Sequence, residues 1–168
     1  MFIAILQNTP TWVWGLLAAL IALGLSQAFP RSITLRRAVI MPMAMVGLSL
    51  YGVTSVFGAQ PLPLLLWAAG LATTATLMLN LGAGRGVSWS AAERLLRVPG
   101  SWWPMATILA LFVTKFAVGV TLAMHPSFAH DAAFATGVSL LYGSFSGVFF
   151  GRGAAMWKVA HRALNGTV

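Results

Sequence analysis

The chain contains no cysteine, and that absence removes disulfide bonds, thiolate nucleophiles and thiolate metal sites together. It also has only two acidic residues, Glu93 and Asp131, among 168 positions. General acid–base catalysis and buried proton relays draw heavily on Asp and Glu, so little of that chemistry is open to it. Charged residues of either sign make up 7% of the sequence against 59% hydrophobic, which leaves too little polar surface to cover a soluble domain of this size. The composition predicts a chain that lives in lipid. The opening residues, MFIAILQNTPTW, lack a basic stretch and a small-residue cleavage site, so a removable signal peptide is not expected. Internal repeats and low-complexity tracts are missing too, and residues 1–168 read as a single transmembrane domain.

What the chain has is long apolar runs. A spanning helix needs about 20 predominantly apolar residues to cross roughly 30 Å of hydrocarbon. Residues 12–29, 38–57, 62–81, 104–124 and 132–150 meet that length. Prolines punctuate them as helix ends require: Pro10 follows the possible cap Thr9, Pro30 closes the first run, and Pro61 and Pro63 open the third. The fold class expected is all-α and integral to the membrane, a five-helix bundle.

Ten Lys and Arg residues would suggest nucleic acid in a soluble protein, but here they fall in short tracts between apolar runs, and no nucleic-acid partner is expected. Arg31, Arg36 and Arg37 follow the first run; Arg85, Arg94 and Arg97 follow the third; Arg152, Lys158 and Arg162 follow the fifth. The alternate connections carry none. The bias of Lys and Arg toward the cytoplasmic side then predicts an outside N-terminus and a cytoplasmic C-terminus. Between the third and fourth spans, SWSAAERLLRV mixes apolar and charged positions. It is expected to form a short interfacial helix over about residues 91–98, with Ser90 and Glu93 as its capping box.

Helices already in lipid associate through close packing of small residues. Ser139, Gly143, Gly147 and Gly151 repeat at strict four-residue spacing in the fifth span. That stripe predicts a helix contact, by default within one chain. Five short helices would still leave much surface uncovered, so a homo-oligomer or other membrane subunits are expected as partners beside the bilayer itself. The methionines of MPMAM at 41–45 serve more simply as adaptable filler beside Pro42 than as a copper site, because residues two apart on a helix point away from each other.

The tenth base, Lys115, stands alone in LFVTKFAVGV in the fourth span. An ionisable group at that depth costs on the order of 2.5–3.5 kcal/mol, which makes it a functional candidate. Depth counting places Ser49 and Tyr51 of the second span at its level, with Thr73, Thr76 and Asn80 of the third and Ser139 and Tyr142 of the fifth as polar company that could form a solute- or ion-binding seam with it. With no carboxylate in any span, a catalytic or Schiff-base lysine lacks its counter-ion. A second cluster, His125, His130 and Asp131 in the outer loop MHPSFAHD, offers ligand types for a divalent metal or haem, though its spacing matches no established motif.

The opening NTPTWVWGLLAALIALGLSQ, with the basic turn and the SLYGV segment after it, resembles small uncharacterised bacterial inner-membrane proteins. The resemblance implies a bacterial inner membrane and carries no activity, cofactor or site residue. The expectation is a non-enzymatic polytopic membrane protein, self-associating or part of a membrane complex. A small-solute or anion transporter built on Lys115 is the alternative, and a haem- or metal-binding protein using the histidine loop the third.

Overall fold

The computed structural model describes residues 10–166, so the expected Thr9 cap lies outside it. The elements run α1 (Thr11–Ala28), β1 (Arg31–Thr34), α2 (Leu35–Phe57), α3 (Pro61–Asn80), β2 (Ser88–Ser90), β3 (Leu95–Val98), α4 (Trp103–Met124), a 3-10 turn (Pro126–His130) and α5 (Ala132–Leu164). Among the described residues, all five α-helices are long and apolar enough to cross a membrane.

The described residues divide into two compact units. The first joins α1 to α4. Their approach depends on Gly24, where a Cβ would come within 2.8 Å of Met105 Cγ. At the ends of the pair the Ser101 amide donates to the Gln27 carbonyl at 3.1 Å, binding the chain entering α4 to the last turn of α1.

The second unit gathers α2, α3, α5 and the strands, and α5 packs against both helices. The four-residue stripe faces the α3 backbone. A Cβ at 147 would lie 2.5 Å from the Leu71 carbonyl oxygen and one at 151 would lie 2.8 Å from Met78 Cβ, while one at 143 would run into the carbonyl of Trp67. Gly70 answers from α3, since a Cβ there would lie 2.7 Å from the Leu140 carbonyl. Glycine on both helices lets the backbones close to a distance no side chain would permit, so the contact is within the chain.

Helix α2 starts on Thr34, whose hydroxyl accepts from the Arg37 amide at 3.3 Å. Inside it, Pro42 has no N–H to offer the carbonyl four residues back, which is that of Ala38. Gly153 of α5 covers this position: a Cβ there would sit 2.7 Å from Pro42 Cγ and 3.2 Å from the Ala38 oxygen. Helix α5 itself continues 14 residues past the expected end at 150, to Leu164. Its 33 residues give roughly 50 Å of rise, well beyond the hydrocarbon thickness.

The expected interfacial helix over 91–98 does not form. Residues 91–94 are a turn, and Leu95–Val98 is the central strand of an antiparallel sheet ordered β1-β3-β2. The local sequence permits this because LLRV alternates: Leu96 and Val98 are buried while Arg97 is exposed, a period of two. The deciding partner is distant, with Ile33 of β1 and Trp89 of β2 both opposite Leu96. Arg94 takes a left-handed φ of 53°, which ends any helix there. The capping box is likewise absent, and the exposed Glu93 carboxylate instead accepts from Arg97 Nη2 at 3.3 Å. Ile33, Ala38, Leu96, Val98, Met156 and Ala160 close the core between the sheet, α2 and α5.

Candidate functional site

The most connected polar cluster in the second unit forms where its three helices meet. Ser49 of α2 is buried and donates its hydroxyl to the Tyr142 carbonyl of α5 at 3.0 Å. Trp67 of α3 donates its indole N–H to the same Ser49 oxygen at 3.1 Å. Ser146 adds a second hydroxyl to the Tyr142 carbonyl at 2.9 Å. One backbone oxygen thus receives two hydroxyls, and one serine links three helices. Between apolar helices such bonds are worth roughly 0.6–2 kcal/mol each. The indole gives the position of Ser49 a reason, because a Trp N–H withdrawn from water needs an acceptor.

Ser139, one turn before Gly143, is fully buried. Its hydroxyl and the Trp89 indole N–H are the buried side-chain polar atoms without a hydrogen-bond partner among the described residues. Each carries the desolvation cost of an unmade bond.

The polar residues expected to surround Lys115 fall into two sets. Ser139 and Tyr142 are buried on α5. Thr73, Thr76 and Asn80 are exposed on α3, on the side roughly opposite Thr74, Ala75 and Met78, which meet α5. The Thr76 hydroxyl bonds the Ala72 carbonyl of its own helix at 2.8 Å. Within the second unit these two sets therefore do not form one seam. Lys115 belongs to the first unit, half-buried on α4 at roughly 14 and 18 Å of rise from the helix ends. Beside it Thr114 bonds the Ala110 carbonyl at 2.8 Å, and Phe112 and Phe116 stack with ring centroids 6.3 Å apart.

The histidine loop is organised by backbone rather than by a ligand set. Asp131 caps α5, its Oδ1 accepting from the Phe134 amide at 2.6 Å. His125 gives its amide to the Thr121 carbonyl at 2.8 Å, and both His125 and His130 are exposed. The described residues contain no group of three or more His, Cys, Asp or Glu placed to hold a metal ion.

Sequence reasoning reached Ser49 and Tyr142 by depth but missed Trp67 and Ser146. Their signals were present: Ser146 lies four residues after Tyr142, and Trp67 lies three before the small residue Gly70. Neither signal says which acceptor the indole finds, because that acceptor sits on another helix.

The chain belongs to a family of unknown function, DUF6622, whose family model matches residues 1–165. No curated protein and no solved structure matches it.

Proposed function

We propose that this DUF6622 member is a non-enzymatic multi-pass protein of a bacterial inner membrane that acts by associating with itself or with other membrane subunits. The observation that carries the reading is the outer face of α3, where Ala69, Ala72, Thr73, Thr76 and Asn80 are small or polar and all exposed. A helix surface destined for lipid alone has no use for an asparagine and two threonines, whereas small and hydroxyl side chains suit contact with another helix. The buried hydroxyls support the same reading. That of Ser49 donates to the Tyr142 carbonyl of another helix, and those of Ser146 and Thr107 donate to carbonyls of their own helices, so these three are occupied by backbone rather than turned to a solute. The placement of bases supports an outside N-terminus and a cytoplasmic C-terminus in this reading.

The absence of cysteine makes the test direct. Single cysteines at T73C or T76C should cross-link between copies in native membranes, and L48C, on an exposed α2 position, should not. A monomer by native mass spectrometry, with no cross-link at either α3 position, overturns the reading. A periplasm-dependent reporter should be active when inserted after Ser127 and inactive after Val168.

Lys115 favours a second reading, a carrier of small anions, because a half-buried amine in the middle of an apolar helix is a natural anion site. Chloride or formate flux in proteoliposomes, abolished by K115M with cross-linking unchanged, would favour it over the first.

A further inference from the structure

Helix α5 closes on an Asn–Gly pair. Asn165 is its C-cap, with φ −93° and ψ 8°, and its backbone amide donates to the His161 carbonyl at 3.1 Å. Gly166 follows with φ 67°, and a Cβ there would meet nothing within 4 Å. Both residues are exposed. The Asn165 side-chain amide donates to His161 Nε2 at 3.0 Å, and the His161 ring stacks on Trp157 with centroids 4.8 Å apart. An amide nitrogen only donates, so this bond keeps the proton of a neutral His161 on Nδ1.

An asparagine followed by glycine rearranges without help from other groups, because no side chain at the second position keeps the backbone nitrogen from the side-chain carbonyl carbon. The Gly166 amide gives its proton to hydroxide, its nitrogen bonds Asn165 Cγ, and the Cγ–Nδ2 bond breaks as ammonia leaves with a proton from water. Water then opens the resulting succinimide at either carbonyl, and the residue becomes aspartate or isoaspartate. The fold holds the pair out of this geometry. With ψ at 8° the Gly166 nitrogen is nearly eclipsed with the Asn165 nitrogen and so turned away from Cβ, while the His161 contact keeps the side chain against the helix. The last turn must open first, and helix ends are where opening costs least.

We propose that Asn165–Gly166 is a self-modification site, converted to aspartate or isoaspartate at a rate gated by the last turn of α5, with the His161–Asn165 bond as the latch. The site does not rest on the self-association reading. Its product carries a carboxylate where the helix dipole is already negative, and it has lost the amide that His161 accepts from, so conversion should leave the last turn unlatched. It also lowers the net charge of +8 by one unit.

The test follows full-length protein in detergent at mildly alkaline pH by peptide mass spectrometry, which reads the exchange of NH2 for OH, beside an unstructured peptide of residues 161–168. The wild type should convert at Asn165, several-fold more slowly than the peptide does. Asn80, which precedes the bulky Leu81, should stay unconverted over the same period, and so should N165Q, whose longer side chain needs a larger ring. H161L should convert about threefold faster than the wild type. H161Q, which restores an acceptor for the Asn165 amide, should convert at the wild-type rate. No conversion at Asn165 once the peptide has converted overturns the site. Equal rates for the protein and the peptide, or for H161L and the wild type, overturn the gate and its latch.

Discussion

Ser49 and Tyr142 stand 93 positions apart, and the hydroxyl of one meets the backbone carbonyl of the other at 3.0 Å. That bond, with the Trp67 indole behind it, ties α2 and α3 to the same turn of α5. Removing the hydroxyl by S49A strands the indole N–H in an apolar site, and should destabilise the protein by about 1–2 kcal/mol. The W67F change removes the donor instead. In a double-mutant cycle measured by unfolding in mixed detergent, the pair should show a coupling of about 0.5–1 kcal/mol. A coupling of zero means that the bond contributes nothing to the fold.

Ser139 should behave oppositely. Its hydroxyl is buried without a partner, so S139A removes an unmet polar group and should leave stability unchanged or raise it by up to about 1 kcal/mol. The same thermal melt that records a loss for S49A should record none for S139A. A loss above 1 kcal/mol would show that this hydroxyl bonds something in the membrane-embedded protein.

The glycines of α5 are predicted to divide sharply. A methyl at 147 meets the Leu71 carbonyl and Thr74 Cβ, atoms that cannot swing aside, whereas Gly137 has nothing within 4 Å. G147A should therefore destabilise by roughly 2 kcal/mol or more. G137A should be neutral or stabilising by up to about 1 kcal/mol, because alanine is the better helix former. Comparable losses for both would place the α3–α5 contact elsewhere.

Arg94 gives a prediction whose sign separates two local structures. In the observed hairpin its φ is 53°, a conformation glycine adopts without strain, so R94G should stabilise by about 0.5–1 kcal/mol. In an interfacial helix over 91–98 the same change would cost about 1 kcal/mol. Melting temperature together with circular dichroism of the variant decides between them.

How much of this was legible beforehand differs from element to element. The five long helices follow from runs of apolar residues, and length with composition suffices to find them. The glycine stripe of α5 announced a close helix contact for the same local reason, since only small residues at four-residue spacing allow it. Depth along each run brought Ser49 and Tyr142 to one level. It could not choose between the faces of α3, and so grouped Thr73, Thr76 and Asn80 with residues that lie on the other side of that helix.

The sequence by itself determined the helices, the stretch of α5 that must press against a neighbour, and the poverty of chemistry available to a chain with two acids and no cysteine. Each depends on what neighbouring residues do within one turn or one span. Tertiary structure decided the rest: that LLRV is a strand, which hydroxyl receives the Trp67 indole, and that Gly153 of α5 closes on Pro42 of α2. The pairing of β3 with β1 joins residues more than sixty positions apart, as in Ile33 with Leu96. A local helical preference at 91–98 yields to hydrogen bonds and burial that exist only once α2 and α5 have brought the two strands together.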